Sequence, residues 1–237
     1  MSVLHLADEG EAADLAGFLS RLLHYDRAAA VRLQAAGTAL AVFGRPPSFE
    51  VLAVRAVRLA KPYEHGLEAS LDVTVSAGDL LESVDEKAVT AAVPAAVTGP
   101  PWAGVLPPRG GWRPEPGLPA PDVLRATVAE AVAEFRTRTD ALPEERRTRA
   151  ELDGIGREIW SRPVAGTALP VRVVHAAQTL GFLRPAGGVG GPGGVPPEAA
   201  RPGLFSSGSW LRLRTPYGSV AVRRTGLGVG GLGVSVR

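Results

Sequence analysis

"SWLRLRTPYGSVAVRR", residues 209–224, reads as strand, turn, strand. Successive side chains of an extended chain point to opposite sides. Leu211 and Leu213 therefore share one face, and Arg212 and Arg214 share the other. Thr215-Pro216-Tyr217-Gly218 suits a type I turn, with proline second and glycine fourth. Val220 and Val222 then resume the apolar face. This is a β-hairpin, apolar on one side and lined with arginine on the other.

Three helices are expected upstream of the hairpin. Asp122 suits a cap for the first, which runs to about residue 139 with Leu124, Val128, Ala131, Val132 and Phe135 as its stripe. Thr148 and Glu151 form a capping box for the second, whose stripe is Leu152, Ile155, Ile159 and Trp160. The third, 170–180, has Pro170 at its start and Gly181 just past its end. Val173, Ala176, Ala177 and Leu180 fall on one side of it, and Arg172, His175 and Thr179 on the other.

The first 90 residues read as helix, antiparallel meander, helix. Leu15, Phe18, Leu19, Leu22 and Tyr25 make an amphipathic stripe over 8–25. Apolar runs at 31–43, broken by Gly37, read as a hairpin, and 49–60 and 71–76 as further strands. Ser76 with Asp79 marks a helix start. The class is α+β. Its parts are an α+β domain over 1–93, a proline-rich strap over 94–121, and a helical module over 122–237. That module carries a glycine-rich loop at 185–203 and the C-terminal β-hairpin. The strap holds nine prolines, with Trp102 and Trp112 as anchors.

Charge divides along the chain. Residues 1–145 hold 13 basic and 20 acidic side chains, and residues 146–237 hold 13 arginines and 4 acids. A basic half attracts polyanions, nucleic acid first, or else packs on its acidic counterpart. Arginine outnumbers lysine 24 to 2, which base composition of the coding sequence accounts for.

Three helices and then a hairpin, with "AAQTLGFLRP" closing the third helix, resemble a winged helix-turn-helix module over roughly 121–224. The resemblance implies that 170–180 is a recognition helix, with Arg172, His175 and Thr179 turned to the major groove. It implies wing contacts to phosphates from Arg212, Arg214, Arg223 and Arg224. Duplex DNA would then be the partner, bound by a homodimer. The alternative is a protein-interaction or scaffold role with no nucleic acid.

Catalytic and metal signatures are missing from the sequence. There is no cysteine, and His5, His24, His65 and His175 sit in no metal-ligand spacing. "GVGGLG", 228–233, matches a dinucleotide fingerprint, but too few residues follow for the helix that motif requires. "KPYEHGLE", 61–68, is the one compact cluster mixing acid, base and hydroxyl. The expectation is a non-enzymatic, cytoplasmic protein without cofactor or metal, binding no membrane.

Overall fold

The computed structural model describes residues 2–47, 50–60, 71–184 and 201–224. After a short strand β1 (Val3–His5), Asp8 accepts the Glu11 amide at 2.9 Å and opens helix α1 (Glu9–Tyr25). Leu15, Phe18, Leu19 and Leu22 are buried, while Tyr25 stays exposed. Strands β2 (Ala30–Ala36) and β3 (Ala39–Gly44) follow, joined at Gly37, whose φ is +59°. Then come β4 (Leu52–Arg58), β5 (Leu71–Ser76) and α2 (Ala77–Glu82), capped by Ser76 as its sequence indicates. β6 (Val84–Asp85) and β7 (Thr90–Ala92) form with β1 a small three-stranded sheet, which the sequence reading does not include.

The strap leads through a 3-10 turn at Pro101–Gly104 to β8 (Arg113–Glu115). α3 (Pro121–Asp140), α4 (Arg149–Ser161) and α5 (Val171–Thr179) are the three expected helices. Thr148 caps α4 as expected, but Asp122 does not cap α3. Ala120 occupies that position, and Pro121 leaves Asp122 inside the first turn. The chain ends its described course in β9 (Gly203–Ser207), β10 (Trp210–Thr215) and β11 (Gly218–Arg223).

These strands assemble into one antiparallel sheet of eight, in the order β5-β2-β3-β4-β11-β10-β9-β8. The fold is α+β. Its sheet runs through both halves of the chain, because β11 pairs with β4 at Ser219–Val54, Val220–Ala53 and Ala221–Leu52. The 209–224 hairpin is thus not a projecting wing. β4 flanks it on one side and β9 on the other.

Alternation gives the two faces different roles. Val31, Leu33, Leu40, Val42, Ala53, Val57, Leu211, Leu213, Val220 and Val222 join the helices in the main core. The opposite face carries Phe43, Leu52, Val54, Ala221, Arg212 and Trp210 and meets the strap. The strap crosses this face from edge to edge. It starts beside β5, where the Val97 amide donates to the Thr74 carbonyl. It finishes as β8, paired with β9 at the far edge. The strap thus borders the sheet at β5 and forms its opposite edge strand, where Pro114 sits at a position needing no ladder amide. Among the described residues no helix is long and apolar enough to cross a membrane.

Candidate ligand-binding site

Small side chains on β3 and β4 leave a hollow under the strap. Ala39 and Ala41 alternate with the buried Leu40 and Val42, and Ala56 stands across from Ala41 on β4. Ala221 of β11 continues this floor, and Phe43 and Val54 close its inner end. Pro107 and Pro108 of the strap stand too far above an alanine floor to fill the space. The result is a cleft of about 240 Å³, just under the roughly 300 Å³ at which drug-sized ligand sites begin.

Three polar side chains line it: Gln34, Arg109 and Arg212. Arg212 is half-buried on β10. Its Nε donates to Ser219 Oγ at 2.9 Å, and its guanidinium lies 5.5 Å from the Trp112 ring. No carboxylate lies within ion-pair distance of it among the described residues. Burial holds the Arg212 guanidinium below the usual arginine range, and the nearby charge of Arg214 adds to the effect. Gln34 is tied down at the rim, donating from Nε2 to Asp72 Oδ2 at 3.0 Å.

The strap that roofs the cleft is fastened at several points. Arg32 donates to the Ala103 carbonyl and, bidentately, to Asp72. Trp112 Nε1 donates to the Pro108 carbonyl at 2.9 Å, closing a short loop over the cleft. Ser207 Oγ donates to the Gly110 carbonyl. Trp102, Leu106 and Trp112 pack on Leu52, Trp210 and Ala221, so both strap tryptophans are anchors, as the sequence suggests.

The seven residues singled out from sequence do not form one surface. α5 packs by Val173, Val174, Ala176 and Ala177 into the core, on the helical side of the sheet. On its outer side Arg172 Nη1 donates to Ser161 Oγ, while its buried Nε finds no partner among the described residues. His175 stacks on Trp160 with ring centres 4.6 Å apart, and Thr179 Oγ1 donates back to the carbonyls of His175 and Ala176. Arg212, Arg214 and Arg223 lie across the sheet on the strap side. There Arg214 stands over Phe205 at 4.6 Å and Arg223 over Trp210 at 5.2 Å. Arg224 turns to the helical side and pairs with Glu115 at 3.0 Å.

The sheet therefore separates Arg172, His175, Thr179 and Arg224 from Arg212, Arg214 and Arg223. Arg212 is the one predicted residue that lines the cleft. Gln34, Arg109 and the alanine floor are legible only once β3, β4 and the strap are known to be layered. The 61–68 cluster, most of the 185–203 loop and the 228–233 motif lie outside the described residues. No group of three or more metal-ligating side chains comes together among the described residues.

The chain belongs to the family described as Domain of unknown function (DUF8185), whose model matches residues 107–227. A second model, Domain of unknown function (DUF8010), matches residues 1–104. No curated protein and no solved structure matches the chain. The two matched regions meet within the strap, beside the cleft. Gln34, Ala41 and Ala56 come from the first, and Arg109, Arg212 and Ala221 from the second.

Proposed function

We propose that the protein is a non-enzymatic binding protein whose cleft beneath the strap takes a small amphipathic anion, a carboxylate on an apolar or planar body. The observation that carries this reading is Arg212. It is a half-buried cation at an alanine-floored cleft, held by a hydroxyl and an indole and, among the described residues, by no acid. A desolvated charge without a counter-charge is costly, and a ligand carboxylate supplies one with the bidentate geometry that guanidinium favours. The remaining lining is alanine, valine, phenylalanine and proline, which accepts an apolar body. Gln34, Arg109 and Arg212 are suited to orienting a ligand.

The test is a calorimetric titration with 2-naphthoate and with the neutral 2-naphthalenemethanol. Saturable binding of the carboxylate is expected, with the alcohol about tenfold weaker, a difference on the scale of one charge-assisted hydrogen bond. Arg212→Gln should erase that preference, and Ala41→Leu should remove both ligands while leaving the circular dichroism intact. Equal binding of the two compounds, or none of either, overturns the reading.

A second reading retains nucleic acid in altered form. Arg214 and Arg223 are exposed beside Arg212 on one face, none with an acidic partner among the described residues, and a phosphate backbone suits such a row. In this reading the sheet face binds without sequence preference and α5 takes no part. A gel shift in about 50 mM salt should weaken in the Arg214→Gln/Arg223→Gln double variant and not in Arg172→Gln. Absence of a shift at micromolar protein removes this reading.

A further inference from the structure

We propose a second ligand site, for a phosphomonoester with an apolar or aromatic body, on the helical side of the sheet. It is the cleft bounded by the start of α3, the chain leaving α5 and the tip of the β10–β11 hairpin. Its volume is about 610 Å³, larger than the strap cleft, and no residue lines both. Three arginines converge on it, Arg125, Arg184 and Arg201, and no acidic side chain lines it among the described residues.

The charge around these arginines is poorly balanced. Arg184 pairs with Asp14, but Asp14 also serves Arg55 at 3.1 Å. Among the described residues Arg125 donates only to the Leu183 carbonyl, from Nη1 at 3.3 Å. Arg201 is exposed and makes no ion pair or hydrogen bond within the described residues. Gathering guanidiniums in one cleft is unfavourable by Coulomb's law unless an anion joins them. A phosphate group brings close to two negative charges and three strong acceptor oxygens, which suits several guanidinium forks better than a monocarboxylate does.

The cleft is also prepared to hold more than phosphate. Arg184 is steadied by lying 3.8 Å over the Tyr217 ring, so little side-chain freedom remains to be lost on binding. Phe182 and Leu183 are almost fully buried where they line the cleft, and Leu118 and Pro121 add an apolar wall beside the charges. Phe182 is itself fixed by stacking on Phe18, with ring centres 5.7 Å apart. This arrangement fits an apolar or planar group lying against the wall while its phosphate meets the arginines.

The full chain would be titrated with phenyl phosphate, phenyl sulfate and inorganic phosphate at low salt and pH 7.5, with binding read by calorimetry. Saturable binding is expected for phenyl phosphate, roughly tenfold tighter than for the singly charged sulfate and than for inorganic phosphate. The Arg125→Gln/Arg201→Gln double variant should weaken phenyl phosphate at least tenfold, whereas Arg149→Gln, at an exposed arginine lining neither cleft, should leave it unchanged. Should the double variant misfold, Arg201→Glu alone decides, because that side chain supports nothing else in the described fold. Failure of phenyl phosphate to saturate by about 10 mM, or equal affinity in Arg201→Glu, overturns the proposal. Equal affinity for inorganic phosphate and phenyl phosphate overturns the apolar wall as a contact.

Discussion

Arg32 of β2 grips Asp72 of β5 with two parallel hydrogen bonds, Nε to Oδ1 at 2.7 Å and Nη2 to Oδ2 at 2.8 Å. Its third nitrogen donates to the Ala103 carbonyl of the strap. One side chain thus joins the edge of the sheet to the roof of the cleft. Both partners are partly exposed, so the pair itself stabilises modestly, by about 0.5–1 kcal/mol. Arg32→Gln should cost about that much global stability in urea, while opening the strap far more. Limited proteolysis between residues 99 and 110 should accelerate several-fold. An unchanged cleavage rate would show that the tryptophan anchors hold the strap without Arg32.

The same contact makes strap closure acid-sensitive. Hydrogen bonds from Arg32 first, and from Gln34, hold the Asp72 carboxyl below its ordinary range. A depressed folded value means that the stabilisation is fully present above the unfolded pKa, about 4, and is lost as pH falls through the folded value. Cleavage of the strap by an acid-tolerant protease such as pepsin should therefore rise below about pH 4 in the wild type. In Arg32→Gln it should already be high at pH 5 and change little on acidification.

Gly117 and Gly154 should respond to alanine with opposite signs. At Gly117, φ is +85° and an added Cβ would lie 2.4 Å from the Gly166 carbonyl oxygen, a backbone atom with nowhere to go. Gly117→Ala should lose at least about 2 kcal/mol. Gly154 lies inside α4 with open space where the methyl would sit, so Gly154→Ala should gain about 0.5–1 kcal/mol from helix propensity alone. Urea denaturation of the two variants checks both signs.

His175 provides a second pH-dependent element. Burial pushes its imidazole below the ordinary histidine value, favouring the neutral ring that stacks on Trp160. The unfolded chain therefore binds this proton more readily than the folded one. Stability should fall as pH drops below about 6.5, the unfolded value, and continue falling until the lowered folded value is passed. His175→Phe should flatten the melting temperature across pH 5–7. A wild-type slope that survives the substitution would assign it to another group.

The sequence makes the helices legible because each carries its own end signals and stripe. Ser76 and Thr148 cap where the sequence puts them, and Gly181 ends α5, while Asp122 gives way to Ala120 at the start of α3. The 209–224 hairpin is equally legible, since alternation and turn residues are local. What lies beside that hairpin is not legible. Residues 52–54 and 219–221 are more than 160 positions apart, and nothing in either valine-rich strand names the other as its neighbour. That long-range pairing is what puts the hairpin arginines on the strap side and α5 on the opposite side. The cleft shares the difficulty. Its floor is an absence of side-chain volume at Ala39, Ala41 and Ala56, which in sequence is indistinguishable from ordinary alanine-rich composition. β8 and β9 escape notice because Pro114 and Gly203 mark their segments as irregular.

The pairing of β4 with β11 leads to a prediction about the whole chain, which should unfold as one unit although two family models divide it. At the seam Arg55 of β4 is 5% exposed. It donates to the Tyr217 carbonyl at 2.8 Å and to Glu11 at 2.9 Å, and it meets Asp14 at 3.1 Å. One buried guanidinium therefore ties the hairpin tip to α1. Beside it, Phe182 covers Gly218 so closely that an added Cβ would fall 2.6 Å from the ring. Neither half keeps this arrangement alone, because separation exposes the unpaired ladder groups of β4 and β11 and takes the Tyr217 carbonyl away from the buried Arg55. Urea unfolding followed by far-ultraviolet circular dichroism and by tryptophan fluorescence should give coincident transitions. Arg55→Met, which leaves Glu11 and Asp14 facing one another without their shared cation, should lower both signals together by about 3 kcal/mol. Two resolved transitions, with only one shifted by Arg55→Met, would mean that each matched region folds by itself and that the seam is a docking contact between them.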